Sequence, residues 1–173
     1  MPGTYFITRS LSKNNKKNTT LRSALPYDQA KYFGLVYMVE DLKKHELVKR
    51  LVHQLEQEGK KVRVLTYLGK KKENFEFKFD FFTDKEVGFF GSLQADNIQE
   101  FIAQPFDYLI NIDLMPNVLI KKIVALSKAH CRVGRHLTEN EEFFELMIHA
   151  GSNEGLSTFT DNTLRYIKLI SKK

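Results

Sequence analysis

The sequence predicts an α/β fold: a three-layer sandwich built on a Rossmann-like, mostly parallel sheet, with a basic N-terminal extension. Three observations carry this. Uninterrupted apolar runs such as Tyr32 to Val39 (YFGLVYMV) read as strands buried on both faces, as in the middle of a parallel sheet. These runs alternate with stretches whose apolar residues recur at helical spacing, so each strand returns to the sheet through a helix. The positive charge is concentrated ahead of them. Residues 1–31 carry Arg9, Lys13, Lys16, Lys17, Arg22 and Lys31 against one acid, Asp28, which accounts for five of the chain's net charge of +6.

At 173 residues the chain has room for one domain and an appendage. Residues 1–31 read as a basic, flexible arm. They are rich in Ser, Asn and Thr, show no sustained apolar periodicity, and would not offset their ordering entropy alone. Residues 32–173 read as a single α/β domain. Pro26 and Asp28 suggest a turn before it begins. After the strand at Tyr32–Val39, the acids Glu40 and Asp41 suit a helix start. That helix should run to about Glu58, with Leu47, Val48, Leu51, Val52 and Leu55 as its apolar stripe. Gly59 then ends it, and Lys61 to Leu68 is the second strand.

A basic turn at Lys70, Lys71 and Lys72 follows. Phe75, Phe77, Phe79 and Phe81 alternate with polar residues, which predicts a peripheral strand with one buried face. Residues 83–93 read as loop and Ala95 to Gln104 as a short helix. Asp107 to Ile112 is a buried strand closed by Asp113. Pro116 suits a first helical position for a helix reaching about Ala129. Two strands at His130–Arg135 and Phe143–Ala150 and a helix at Leu156–Ser171 complete the chain. A strand order of 3-2-1-4-5 with small variations is expected.

The composition narrows the chemistry. One cysteine, Cys131, leaves no internal disulfide and no cysteine-based zinc site, and its position between helix and strand reads as buried. The turn after the first strand is Val39-Glu40-Asp41-Leu42-Lys43. It has no glycine to admit a pyrophosphate and two acids that would repel one. There is no GxxxxGK[ST] and no GxSxG. His45, His53, His130, His136 and His149 are scattered, and the two on the first helix are eight residues apart, too far to share a metal. No catalytic residue, cofactor or metal is expected. No signal-like apolar core or membrane-length run is present, so a cytoplasmic protein without a membrane partner is expected.

Several sequence features resemble a bacterial family of about 170-residue proteins known as a domain of unknown function. They are the lead-in Ala30-Lys31-Tyr32-Phe33-Gly34-Leu35-Val36, the segment Gly59-Lys60-Lys61-Val62-Arg63-Val64-Leu65, and Phe79-Asp80-Phe81-Phe82. Phe106-Asp107-Tyr108-Leu109-Ile110 and Ala125-Leu126-Ser127-Lys128-Ala129 with Val133-Gly134-Arg135 match as well. The likeness covers roughly residues 30–170 and is one of fold. It implies kinship with a lineage-restricted protein of the large ribosomal subunit. A more distant likeness, at Phe106–Asp113 and Arg132-Val133-Gly134-Arg135, is to the N-terminal half of heptosyltransferase-type glycosyltransferases.

The expected function is therefore non-enzymatic RNA binding, most concretely as an accessory protein of the large ribosomal subunit. Its partners would be ribosomal RNA and neighbouring subunit proteins, with no small-molecule substrate. Arg9, Lys13, Lys16, Lys17, Arg22, Lys31, Lys70, Lys71 and Lys72 are the expected RNA contacts, with Tyr5, Phe6 and Tyr27 interleaved. On this reading residues 1–31 can be removed while the body stays folded. A first alternative is a small Rossmann-like transferase or hydrolase binding a nucleotide or nucleotide sugar, with Asp113, Arg135 and His136 in its site and Glu40 in the neighbouring strand-end loop. A second is a protein-interaction module built on the phenylalanine-rich region.

Overall fold

The computed structural model describes residues 2–69, 79–89, 91–151 and 153–171. Among them six strands form one sheet: β1 (Tyr32–Met38), β2 (Lys61–Leu68), β3 (Asp80–Thr83), β4 (Tyr108–Asn111), β5 (Cys131–Arg135) and β6 (Leu146–Ile148). All neighbours pair in parallel, in the order β3-β2-β1-β4-β5-β6. This is the doubly wound Rossmann order. The helices are α1 (Pro2–Lys17), α2 (Leu42–Gln57), α3 (Asp96–Ala103), α4 (Val118–Leu126) and α5 (Leu156–Lys168).

Strand alternation divides the core into two layers. Phe33, Leu35 and Tyr37 of β1 face Val48, Leu51 and Leu55 of α2 and Phe159 and Ile167 of α5. Val36 of β1 and Leu65 of β2 join the opposite layer, with Ile98 and Phe101 of α3 and Ile120, Ile123 and Val124 of α4. The apolar run in β1 thus serves both faces. Glycines admit side chains to the sheet in two places. A Cβ on Gly134 of β5 would lie 2.5 Å from Phe144, and one on Gly34 would lie 2.8 Å from Phe106.

The first half of the domain follows the sequence expectation closely. Asp41 caps α2 by accepting from the Lys44 amide at 2.8 Å. Gly59 takes φ +76° just past the helix end, a conformation glycine adopts without a Cβ clash. Elsewhere the structure differs. α4 begins at Val118, not Pro116, because the Asn117 carboxamide accepts from the Leu119 and Ile120 amides and sets the start. β6 covers only Leu146–Ile148, since Phe143 and Phe144 turn away into the core. In β3 the buried side chain is Phe82, while Phe81 is exposed and Phe79 only partly buried. The described part of the phenylalanine stripe is therefore out of phase with the expected one. Phe75, Phe77, Lys70, Lys71 and Lys72 lie outside the described residues.

The N-terminal segment differs most. Residues 2–17 form a helix that packs against α4, and Ile7 and Leu11 are buried in the α3–α4 layer. Polar bonds reinforce the docking. Asn15 Nδ2 donates to the Glu142 carbonyl at 2.5 Å, and Asn15 Oδ1 accepts from Arg132 Nη1 at 2.6 Å. Ser12 donates to the Glu142 carboxylate. Asn18 donates to the carbonyls of Ala125 at 2.9 Å and Ser127 at 2.8 Å, at the C-terminal end of α4. Residues 18–31 then run across the N-terminal edge of the sheet as a strap. The Ser23 amide bonds the His130 carbonyl at 2.9 Å, and Tyr108 donates its hydroxyl to the Leu25 carbonyl. The buried Lys60 ammonium donates to the carbonyls of Tyr27 and Ala30 and sits 4.1 Å from the Tyr27 ring centroid. The segment thus packs as part of the fold, where an unstructured arm was expected.

Candidate nucleic-acid interface

Docking of α1 by its Ile7 and Leu11 side turns the opposite side outward. Arg9, Lys13, Lys16 and Lys17 are all exposed there, with Tyr5 64% and Phe6 40% accessible. At about 100° per residue these six positions fall within an arc of about 120°. The helix contains no acid, and Lys16 and Lys17 also stand favourably at its negative C-terminal end. The result is one continuous basic face headed by two aromatic rings. Those rings meet edge-on, with centroids 5.7 Å apart at 78°.

The other expected contacts are placed differently. Arg22 is a clasp. Its guanidinium donates to the carbonyls of Ala129 and Ser127 and approaches Glu145 at 4.0 Å. Burial, with the neighbouring Arg132, lowers its pKa to about 10. Arg22 therefore closes the end of α4 and lies outside the exposed basic face. Lys31 is exposed at the N-terminal edge of the sheet, where its amide and that of Tyr32 donate to Asp107 Oδ2 at 2.7 and 2.8 Å. Tyr27 is half-buried. Its hydroxyl donates to Glu58 at 2.6 Å, so it joins the strap to α2 and α5.

At the opposite edge lies the crevice between β1 and β4, where a Rossmann fold receives phosphates. Here the chain fills it with its own charges. Asp113 Oδ1 accepts from Lys44 Nζ at 2.6 Å and from the Met38 amide at 3.0 Å, and Lys44 also reaches Glu40 at 3.1 Å. Lys44 and Asp113 are both buried. Burial pushes the Asp113 carboxyl up, while the Lys44 ammonium and the Met38 amide favour its charged form. The first turn of α2 is capped by Asp41, so a carboxylate already occupies its anion-binding end.

The loops after β4 and β5 enclose a recess of about 10 Å³ lined by Asn111, Asp113, Asn117, Arg135 and Asn140. That is space for about one water molecule. Arg135 braces it by donating to the carbonyls of Leu114 at 2.7 Å and Ala150 at 3.3 Å. His136 is exposed, its ring 6.4 Å from that of His149. The structure thus brings Asp113 and Arg135 to one recess and leaves His136 outside its lining. Cys131 is fully buried in β5, and burial pushes its thiol up to about 12. Among the described residues, no group of three or more His, Cys, Asp or Glu side chains is placed to hold a metal ion. Among them, too, no helix is long and apolar enough to cross a membrane.

Residues 4–170 match a family of unknown function, DUF6913. The chain belongs to that family. The match takes in α1 and the strap as well as the sheet, so it spans the N-terminal helix and the α/β body together. No curated protein matches the sequence.

Proposed function

We propose that this DUF6913 protein is a non-enzymatic RNA-binding protein, an accessory component of the large ribosomal subunit, which docks on ribosomal RNA through α1. The observation that carries the reading is the acid-free basic face of Arg9, Lys13, Lys16 and Lys17 on a helix fixed to a body of nearly neutral charge. Such a face suits a row of phosphates. Contacts of this kind set affinity and position and leave base identity unread. Holding the cations on a docked helix lowers the ordering cost that a free arm would meet on binding. The packed ion pair between β1 and β4 weighs against the transferase alternative, because a nucleotide phosphate entering there would have to displace Asp113.

Sedimentation of cell lysate through sucrose gradients tests the reading. The protein is expected to travel with the large subunit at low salt. It is expected to move to the top of the gradient at high salt, or when Arg9, Lys13, Lys16 and Lys17 are all replaced by Gln. With about four phosphates neutralised, affinity should fall roughly 50-fold between about 50 and 200 mM salt. A wild-type protein found only at the top of the gradient at both salts, or captured by anionic vesicles in preference to ribosomes, contradicts the proposal.

A further inference from the structure

The basic face of α1 is headed by an exposed aromatic side chain, Tyr5. Tyr5 is 64% accessible, and its ring meets that of its neighbour Phe6 in a T-shaped contact. Tyr5, Arg9, Lys13 and Lys16 follow one another along the helix within an arc of about 80° and over about 16 Å. Glu142 touches this helix at the flank of that face, its carboxylate accepting from Ser12 and its carbonyl from Asn15. One face therefore offers a ring for stacking and, in line with it, a row of cations.

We propose that this face is a binding site for unpaired nucleotides, in which one base stacks on Tyr5 while the phosphates that follow run along Arg9, Lys13 and Lys16. The inference rests on the RNA-binding reading above and adds the class of RNA. Phosphates alone would be supplied equally well by a duplex. A duplex, however, keeps its base faces stacked on one another, so the exposed Tyr5 ring gains a partner only where a base is free. The same geometry gives no hydrogen-bond readout of base identity, because a ring face stacks on any base.

The test is fluorescence anisotropy with the full chain, comparing a labelled single-stranded oligouridylate with a blunt RNA duplex of similar charge at one salt concentration. The wild type should bind the single strand about tenfold more tightly than the duplex. Tyr5→Ala should lose about that factor on the single strand and nothing on the duplex, and Tyr5→Phe should keep it. Because Tyr5 is exposed, these variants should melt like the wild type. Equal affinity for the two RNAs, or a Tyr5→Ala loss shared by both, overturns the single-strand site while leaving RNA binding in place. Failure of the wild type to bind either RNA, or binding unchanged when Arg9, Lys13 and Lys16 become Gln, overturns the RNA reading itself.

Discussion

At the scale of single residues, the charged side chains divide by what burial makes of them. Lys44 and Asp113 meet at 2.6 Å with almost no solvent contact, and the other carboxylate at Lys44, Glu40 at 3.1 Å, is exposed. Asp113→Ala leaves the buried ammonium with the exposed Glu40 carboxylate in place of a buried partner and should cost about 3 kcal/mol of stability in urea unfolding. Replacing both partners together, Lys44→Met with Asp113→Leu, should recover most of that loss. Glu58 is different. The Lys168 ammonium, then the Tyr27 hydroxyl, hold its carboxyl below the usual range. Its folded form therefore favours the charged state. The stability it adds is present above the ordinary value near 4.5 and is lost as the pH falls through the lower folded value. Thermal melts across pH should show wild type above Glu58→Gln at neutral pH, with the gap closing in acid. Neither arrangement could be read from the sequence, where Asp113 reads as a strand terminator and Glu58 as the last residue of a helix. Both depend on which distant side chain the fold brings near.

At the scale of elements, legibility tracks the apolar pattern. β1, α2 and β2 were plain because long apolar stripes and runs define them, and Asp41 and Gly59 punctuate the helix between. α1 was missed because its buried stripe has only two large apolar residues. Ile7 and Leu11 begin it, and Asn15 and Asn18 continue it by hydrogen bonds that a count of hydrophobic residues does not register. The spacing Ile7, Leu11, Asn15, Asn18 was nonetheless a helical signal in the sequence. Ile7→Ala should destabilise the whole domain by about 2–5 kcal/mol, whereas Arg9→Ala should stay within about 0.5 kcal/mol. Equilibrium unfolding of the two variants checks both. Deleting residues 1–31 would remove the α4 clasp and the Lys60 acceptors as well as α1. It should leave a body that fails to fold cooperatively, which is why the RNA tests use surface substitutions. Pro116 misled for a related reason: the capping carboxamide of Asn117, one residue later, sets the helix start.

At the scale of the whole molecule, the C-terminal edge of the sheet and the layer that carries α1 have opposite characters. The edge where Rossmann folds receive cofactors is packed with the chain's own ion pair and a recess of about 10 Å³. The flank that carries α1 shows a basic, aromatic-headed face to solvent. The doubly wound order was legible because alternating strands and helices leave few other topologies. The charge asymmetry was legible too, as the run of bases before Tyr32. What the sequence could not show is that a docked helix gathers four of those bases onto one side and that Arg22 is spent inside the fold. The decisive measurement is ultraviolet crosslinking of RNA to the protein in purified large subunits, with the crosslinked peptides identified by mass spectrometry. Crosslinks should fall within residues 2–17, with Tyr5 among them. Crosslinks confined to residues 111–117 and 135–140, at the C-terminal edge of the sheet, would contradict an α1-mediated interface and return attention to the strand ends.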